Sequence, residues 1–406
     1  MSKVLVLGKG SREHIISINL LKSKYVSDVY VYPGNDGMIK DNIKLIDIEL
    51  FTEDFKSFLI NNKIDLVVPG DESYLVNGIT DYLKELNISC FGPSKLASKI
   101  EGSKFYSKKF MNENNIPTAE YDIIDSFDFF DNNNYLDYVI KEDGLFSGKG
   151  VYIPNNDEEF FYLKNEFNKN SRELLIEKRL EGQEISLMAF CNGSDLYLMP
   201  QSQDYKKRND NNLGPNTGGM GSVAPVNILN NDELIIVKNH MKKVVEKLNY
   251  VGILYAGLIK TNEGISFLEF NCRFGDPEAQ VLLSLLNSDL YKIMIDCVNG
   301  KEPIINWTND YSVCLVLSHK EYPYNRSNED LLIELDDNIK EYNIYWSNVK
   351  IKDNKYYTNG GRVVSLVTID ESINNCINNI YDNIKINYKD IYYRKDIGLI
   401  KYLKLK

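Results

Sequence analysis

Residues 266–278 read SFLEFNCRFGDPE. Leu268 and Phe270 alternate with Glu269 and Asn271, the period of two that marks a strand, so the polar pair is expected to share one face. A carboxylate and a carboxamide at that spacing can both offer oxygen to one hard cation such as Mg²⁺, with phosphates filling its remaining positions. Arg273 continues the alternation and carries a planar fork suited to a carboxylate or a phosphate. Gly275-Asp276-Pro277 turns the chain, and Glu278–Leu286 is expected to be a helix.

The stretch lies inside a chain of 406 residues, 43% of them apolar, which suggests two to four domains at roughly 150 residues each. A net charge of −11 argues against a nucleic-acid platform. The six cysteines are scattered and none forms a CxxC pair, as expected of free thiols in a reducing cytosol. Three separated histidines do not suggest a His-rich zinc site. No run approaches a membrane span. Met1-Ser2-Lys3 leads straight into a short apolar run, so no leader is expected and the chain is placed in the cytoplasm.

Upstream, Tyr250–Lys260 is expected to hairpin through Asn262-Glu263-Gly264 into the polar-faced strand. Gln201–Val223 reads as one long polar loop, and such loops are functional or disordered. Its tract GPNTGGMG (214–221) suits close backbone approach to a ligand, and Lys206, Lys207 and Arg208 form a local positive cluster. Strand Leu174–Ile176, followed by Glu177 to Glu184, has the layout of an adenine slot. There the backbone would read the base edge and a carboxylate would take the ribose hydroxyls. Residues 144–150, GLFSGKG, form a glycine-rich loop between two strands. It is not a P-loop, because Gly144 to Gly148 is too short and no helix follows; it can still close over phosphates as a lid. Lys104, in Glu101-Gly102-Ser103-Lys104 at a helix start, is either a surface lysine or a phosphate contact. At the N-terminus, strand Lys3–Leu7 enters Gly8-Lys9-Gly10-Ser11-Arg12-Glu13 and then a helix, a turn that can aim N–H groups at an anion. Glu13 replaces the third glycine of a dinucleotide fingerprint. Further strands (Val29–Tyr32, ending at Pro33-Gly34-Asn35, and Asp65–Val68) alternate with helices, as in a parallel sheet. After Tyr311, strands Val313–Leu317 and Arg362–Thr368 precede a helix over Asp370–Ile386 and the basic segment Arg394-Lys395-Asp396-Ile397-Gly398.

Taken in order, VLVLGKGSREH, EGSK, IKEDGLFSGKG, GPNTGGMG, EFNCRFGDPE, TNGGRVV and RKDIG resemble the glycinamide ribonucleotide synthetase family of the ATP-grasp superfamily over nearly the whole chain. The resemblance implies an α/β and α+β multidomain architecture, an ATP-grasp fold. An N-terminal doubly wound parallel-sheet domain would occupy 1–117 and a lid subdomain 118–185. A central antiparallel-sheet domain would follow over 186–312, and a small C-terminal α+β domain over 313–406. It implies ligation of glycine to 5-phosphoribosylamine with ATP and Mg²⁺ (or Mn²⁺), through glycyl phosphate, by a monofunctional enzyme that is a monomer or weak homodimer and uses neither nucleic acid nor membrane. By motif, Glu269 and Asn271 would hold the metal. Lys104, Lys141 and the Gly144, Gly148, Lys149, Gly150 lid would hold the ATP phosphates; Glu177, Lys178, Leu180 and Glu184 would hold adenosine. Arg273, Lys141 and Asp276 would be catalytic. Gly8, Gly10, Arg12, Glu13 and Asn35 would bind phosphoribosylamine, together with Asp204, Lys206, Lys207 and Pro215, Asn216, Thr217, Gly218, Gly219 and Met220.

The pattern departs from the family in places. Its usual Asp-His-Lys-Arg is Asp204-Tyr205-Lys206-Lys207 here, so a bidentate contact would become a point charge. The lid's two alanines are Phe146 and Ser147, and Gly-Pro-Glu near residue 70 is Gly70-Asp71-Glu72. Gly257 stands where many ATP-grasp enzymes carry a further acid, so few protein ligands are expected on the metal. The competing readings are another ATP-grasp ligase, opposed by GPNTGGMG and RKDIG, and a non-catalytic nucleotide-binding protein, opposed by Lys141, Glu269, Asn271 and Arg273 together. A nicotinamide dehydrogenase is opposed by Glu13.

Overall fold

The computed structural model describes residues 1–145, 150–170, 173–324, 331–333, 342–382, 384 and 391–399. Strands β1 (Ser2–Gly8), β2 (Val26–Pro33), β3 (Lys44–Leu45), β4 (Ile64–Pro69) and β5 (Ser89–Cys90) form a sheet in the order β3-β2-β1-β4-β5. Every pairing in it is parallel. Val4, Leu5, Val6 and Leu7 are all fully buried, the continuous apolar run of a strand covered on both faces. The helix Ser11–Leu21 follows β1 directly, as the glycine turn predicts.

A second sheet, β6-β9-β7-β8, is antiparallel and built from β6 (Tyr121–Ile124), β7 (Tyr138–Glu142), β8 (Val151–Tyr152) and β9 (Leu174–Lys178). It has its own small core, in which Phe127, Ile140, Phe160 and Ile176 meet. A separate core is what lets such a layer act as a unit.

The third sheet begins with β10 (Gln183–Asn192) and β11 (Leu196–Leu198). The polar stretch that follows does not remain a loop: it folds into β12 (Gln203–Asp204), β13 (Lys207–Asn209), β14 (Leu213–Asn216) and β15 (Gly221–Ala224). After the helix Asn231–Leu248, the hairpin β16 (Val251–Thr261) and β17 (Gly264–Asn271) completes the third sheet as β11-β10-β16-β17, all antiparallel. The helices Glu278–Leu285 and Leu290–Val298 come next.

The remaining strands are β18 (Tyr311–His319), β19 (Leu332–Ile333), β20 (Asn343–Trp346), β21 (Val349–Lys352), β22 (Lys355–Thr358), β23 (Arg362–Asp370) and β24 (Ile391–Tyr392). A fourth sheet runs β12-β15-β18-β23-β20, with β24 also on β18. The glycine-rich tract's first residues pair locally, Leu213–Asn216 with Lys207–Asn209, and only from its last glycine does β18, about ninety residues away, supply the partner: Gly221–Ala224 pairs with Ser312–Leu315. No local pattern could announce that pairing. Two expected boundaries, at 185 and 312, fall inside β10 and at the start of β18, and the fourth sheet takes β12 and β15 from before the second of them. The last helix spans Ile373–Asp382, shorter than the expected 370–386, part of which lies outside the described residues.

Candidate active site

Glu269 and Asn271 leave β17 on one side, opposite Gly257 and Tyr255 of β16. The side-chain phase differs from strict alternation. A register shift between Gly257 and Leu258 makes Phe267 and Phe270 the buried pair, while Leu268 lines the cleft with Glu184, Asp204, Lys206 and Tyr255. Such a bulge turns the strand and re-aims the side chains beyond it. Gly257 leaves the space beside Glu269 open: a Cβ there would sit 3.1 Å from Glu269 Cγ.

Four cations act electrostatically on Glu269. Burial pushes its carboxyl upward, but Lys206, Lys141, Arg273 and Lys104 outweigh this and hold it below the ordinary carboxylate value. Arg273 Nη2 donates to Asn271 Oδ1 at 3.2 Å, its Nε meets Glu72 Oε2 at 3.1 Å and its Nη2 meets Glu101 Oε1 at 2.8 Å. Glu101 Oε2 in turn accepts from Cys272 N at 2.7 Å and lies 3.0 Å from Cys272 Sγ. Burial is the main reason the Glu101 carboxyl rises to about 7. Glu72 is also raised by burial, but Arg273 and Arg12 carry it down to about 2.

On the lid side, Lys141 Nζ meets Glu177 Oε1 at 2.6 Å and Lys108 Nζ meets Oε2 at 2.8 Å. Glu177 is thus held between two ammonium groups and presents no free carboxylate to a nucleoside. Burial lowers Lys108 to about 8 although Glu177 opposes the change. Lys104 Nζ donates to the carbonyl of Gly144 at 2.8 Å, tying the lid loop's first residue to the helix Lys104–Glu113. Gly150 O accepts from Glu142 N at 2.9 Å. The expected lid residues Gly148 and Lys149 lie outside the described residues. At the adenine slot, the N–H groups of Lys178 and Arg179 donate inward to Glu120 O and Asp137 O, at 2.9 and 2.8 Å, with Leu180 next in the chain. Glu184 pairs with Lys206 at 3.5 Å.

Across the cleft, Asp204 Oδ1 is shut off from solvent with no hydrogen-bond partner among the described residues. It faces Gly219, whose φ is +108°; a Cβ there would meet Pro277 Cδ at 2.3 Å and Asp204 Oδ1 at 2.8 Å. Thr217 bonds back to Lys206 O, Met220 N donates to Tyr205 O, and Lys207 pairs with Asn216 beside Pro215. Arg362 locks this tract to the turn after β17. Its Nη1 donates to Gly218 O at 2.6 Å and to Asp276 O at 2.7 Å, and its Nη2 meets Asp276 Oδ2 at 2.8 Å. Asp276 Oδ1 accepts from Gln280 at 2.8 Å, so its whole carboxylate is committed to bracing.

At the N-terminal turn, Glu13 fills the space the glycines leave. Gly10 N donates to its Oε2 at 2.6 Å and Arg12 Nε to its Oε1 at 2.6 Å. A Cβ at Gly8 would stand 2.5 Å from Glu13 Cδ. Arg12 also reaches Phe274 O at 3.2 Å and Asp71 at 3.6 Å, which brings this turn against the one after β17. Asn35 Nδ2 donates to the carbonyls of Lys9, Trp346 and Ser347 at 2.6, 3.1 and 3.2 Å, joining the N-terminal sheet to the C-terminal one.

Sequence reasoning gave no role to Arg362, Glu72, Glu101, Lys108 or Glu278, although TNGGRVV, EGSK and GDPE contain three of the five, Arg362, Glu101 and Glu278. Glu278 Oε1 accepts from Ser186 at 2.9 Å and Tyr255 at 2.6 Å, bracing the floor of the cleft. Among the described residues no three His, Cys, Asp or Glu side chains converge as metal ligands. The donor set is one carboxylate and one carboxamide oxygen inside a ring of cations, which fits a divalent ion held largely by phosphate oxygens.

Three family profiles divide the chain between them: phosphoribosylglycinamide synthetase N domain over 2–101, ATP-grasp (A) domain over 102–279 and C domain over 312–400. A Lactococcus lactis protein named phosphoribosylamine–glycine ligase is 36% identical over 98% of this chain and 99% of its own length. The chain belongs to the phosphoribosylglycinamide synthetase family. A Caldanaerobacter subterraneus ligase of the same name is 37% identical over 98% of the chain. In Schizosaccharomyces pombe a bifunctional purine biosynthetic protein is 37% identical, and the chain spans 53% of it. The crystal structure of a Thermotoga maritima phosphoribosylamine–glycine ligase superposes with a TM-score of 0.81 at 30% identity, covering 97% of this chain and all of that one. A Hydrogenobacter thermophilus biotin carboxylase domain, at 17% identity and a TM-score of 0.72, shares the fold.

Proposed function

We propose that this member of the synthetase family joins glycine to 5-phosphoribosylamine at the expense of ATP, giving glycinamide ribonucleotide, ADP and phosphate. The observation that carries the reading is the ring of Lys104, Lys141, Lys206 and Arg273 around the Glu269–Asn271 pair. Such cations offset the charge of a triphosphate, and a carboxylate among them calls for a divalent ion between it and the phosphates.

A glycine carboxylate oxygen attacks the γ-phosphorus, forming an O–P bond as the bond to ADP breaks. The nitrogen of phosphoribosylamine then attacks the acyl carbon, phosphate departs with the C–O electron pair, and the nitrogen gives up its proton. Mg²⁺ (or Mn²⁺) would be held by Glu269 and Asn271 and would supply charge neutralisation at the phosphates. Lys141 has three donors, so its bond to Glu177 leaves capacity for a phosphate. Arg273, fixed by two carboxylates, faces the transferred phosphoryl or glycine's carboxylate. Adenosine would lie against the backbone from Lys178 to Leu180 with its ribose near Glu184. Phosphoribosylamine would lie between the N-terminal turn (Gly8, Gly10, Arg12, Glu13, Asn35) and the tract from Asp204 to Met220. The catalytic machinery works by placement and charge rather than by a protein nucleophile. The reading extends to a cytoplasmic monomer or weak homodimer, which sedimentation at graded concentrations would check.

ADP release is the direct test, with ATP, Mg²⁺, glycine and phosphoribosylamine made in situ and each omitted in turn. Turnover requiring both glycine and the amine supports the ligase. Nucleotide binding without release under any combination would overturn it. Two variants probe the amine site. Gly219→Ala forces a Cβ into Pro277 and Asp204, and the KM for the amine is expected to rise at least about tenfold with the KM for ATP little changed. Lys207→Arg restores a bidentate fork and should lower the same KM about threefold; an unchanged set of constants would remove Lys207 from the site.

A further inference from the structure

The segment 394–398, RKDIG, has no part in the chemistry above, yet it is bonded at several points to the body of the protein. Arg394 is fully buried. Its Nε and Nη2 meet the two oxygens of Asp396 at 2.8 Å each, its Nη1 donates to the carbonyl of Lys207 at 2.9 Å, and its Nη2 donates to Asn212 Oδ1 at 3.1 Å. Asp396 Oδ2 accepts from Asn211 N at 2.8 Å, and Lys395 N donates to Asp210 Oδ1 at 2.8 Å. Gly398 N donates to the hydroxyl of Tyr205 at 3.1 Å, and the Arg394 guanidinium lies 5.1 Å from the centre of the Tyr205 ring. Tyr381 fixes the segment from behind, donating to Arg394 O and accepting from Ile397 N. Arg394, Lys395 and Asp396 thus grip the hairpin β13–β14 at both its base and its turn, and Gly398 holds Tyr205 just before it.

That hairpin carries Lys207 and Asn216, and its base continues into Lys206 and Thr217. Its own ladder is short, with Lys207 opposite Asn216 and Asn209 opposite Leu213 and a register break between them. Two such strands are marginal by themselves. Their geometry is set from outside, by a guanidinium whose planar fork reads a carbonyl, an amide oxygen and a carboxylate together. Tyr205 takes part directly: it is buried and offers both a face to Arg394 and a hydroxyl to Gly398.

We propose that Arg394 and Asp396 form a positioning clamp through which the C-terminal domain holds the hairpin 205–216 in its amine-binding geometry. Neither residue touches the reacting atoms. The proposal rests on the reading that this hairpin binds phosphoribosylamine.

The test uses the full chain, with Arg394→Lys, Arg394→Met and the surface pair Asp210→Ala/Asn212→Ala. The last variant cuts two clamp contacts from partly exposed positions and leaves the buried arginine in place, so it reports even if Arg394→Met fails to fold. Two readouts are taken: hydrogen exchange over 205–216, and the KM values for amine and ATP separately. The expected result is faster exchange confined to the hairpin and a KM for the amine raised about tenfold or more, with the KM for ATP unchanged. Arg394→Lys should recover part of the protection, because an ammonium satisfies fewer of the three acceptors. Unchanged exchange over 205–216 in the surface pair and in Arg394→Lys overturns the clamp. Faster exchange with an unchanged KM for the amine overturns the assignment of the hairpin to the amine, and the positioning role with it.

Discussion

Glu269→Gln is expected to lower ADP release by at least about 10³-fold while the chain still folds. The carboxylate has two tasks that glutamine cannot perform. It contributes the only negative charge of the Glu269–Asn271 donor pair, and it offsets Lys206, Lys141, Arg273 and Lys104 when no triphosphate is bound. The second task makes the prediction specific. With one negative charge gone, metal-free ATP should bind as well or more tightly, while added Mg²⁺ should no longer improve its binding. Calorimetric titration with and without Mg²⁺ separates these outcomes. Stability should respond with a definite sign. The folded carboxyl lies below its ordinary value of 4.5, so its charge stabilises the fold above that pH, and the contribution is lost as pH falls through the folded value. Urea unfolding should therefore show wild type more stable than Glu269→Gln at pH 7, the difference closing under acid. Turnover retained by the variant would remove Glu269 from the metal site.

The polar face of β17 was legible because a strand's period of two puts Glu269 and Asn271 together whatever surrounds them. The phase of its apolar residues was not, since the bulge at Leu268 depends on pairing with β16. The parallel N-terminal sheet was legible from buried aliphatic runs ending in glycine turns. The polar stretch 201–223 was misread as one loop because the partner that carries its last strand into a sheet, β18, lies so far along the chain. Charge ownership was least legible. Glu177 reads as part of the adenosine site from its place after the strand expected over 174–176, yet it lies within β9 and its carboxylate is shared by Lys108 and Lys141. Asp276 reads as catalytic from its motif, yet Arg362 and Gln280 take both its oxygens. Long side chains from separate domains decide such pairings, and spacing along one segment carries no trace of them.

Arg273 is the second position where a large effect is expected, and there structure and chemistry can be separated. Its guanidinium serves Glu72, Glu101 and Asn271 at once. Arg273→Met leaves two largely buried carboxylates without their cation, which should cost about 3–5 kcal/mol of stability near pH 8, and turnover should fall by about 10²–10³. The loss must shrink with acid, because protonation removes the uncompensated charge. Wild type itself should respond with opposed signs at the two acids. Glu101, raised to about 7, binds its proton more tightly folded than unfolded, so its contribution to stability declines as pH rises from about 4.5 to about 7. Glu72, lowered to about 2, contributes stability above 4.5 that is lost as pH falls toward 2. Adding Glu101→Gln to Arg273→Met removes one stranded charge and should recover part of the stability. It should recover none of the turnover, since the guanidinium proposed to face the phosphoryl group or glycine's carboxylate is still absent. Recovery of both together would make Arg273 a structural tie, and its place in the chemistry would pass to the lysines around Glu269.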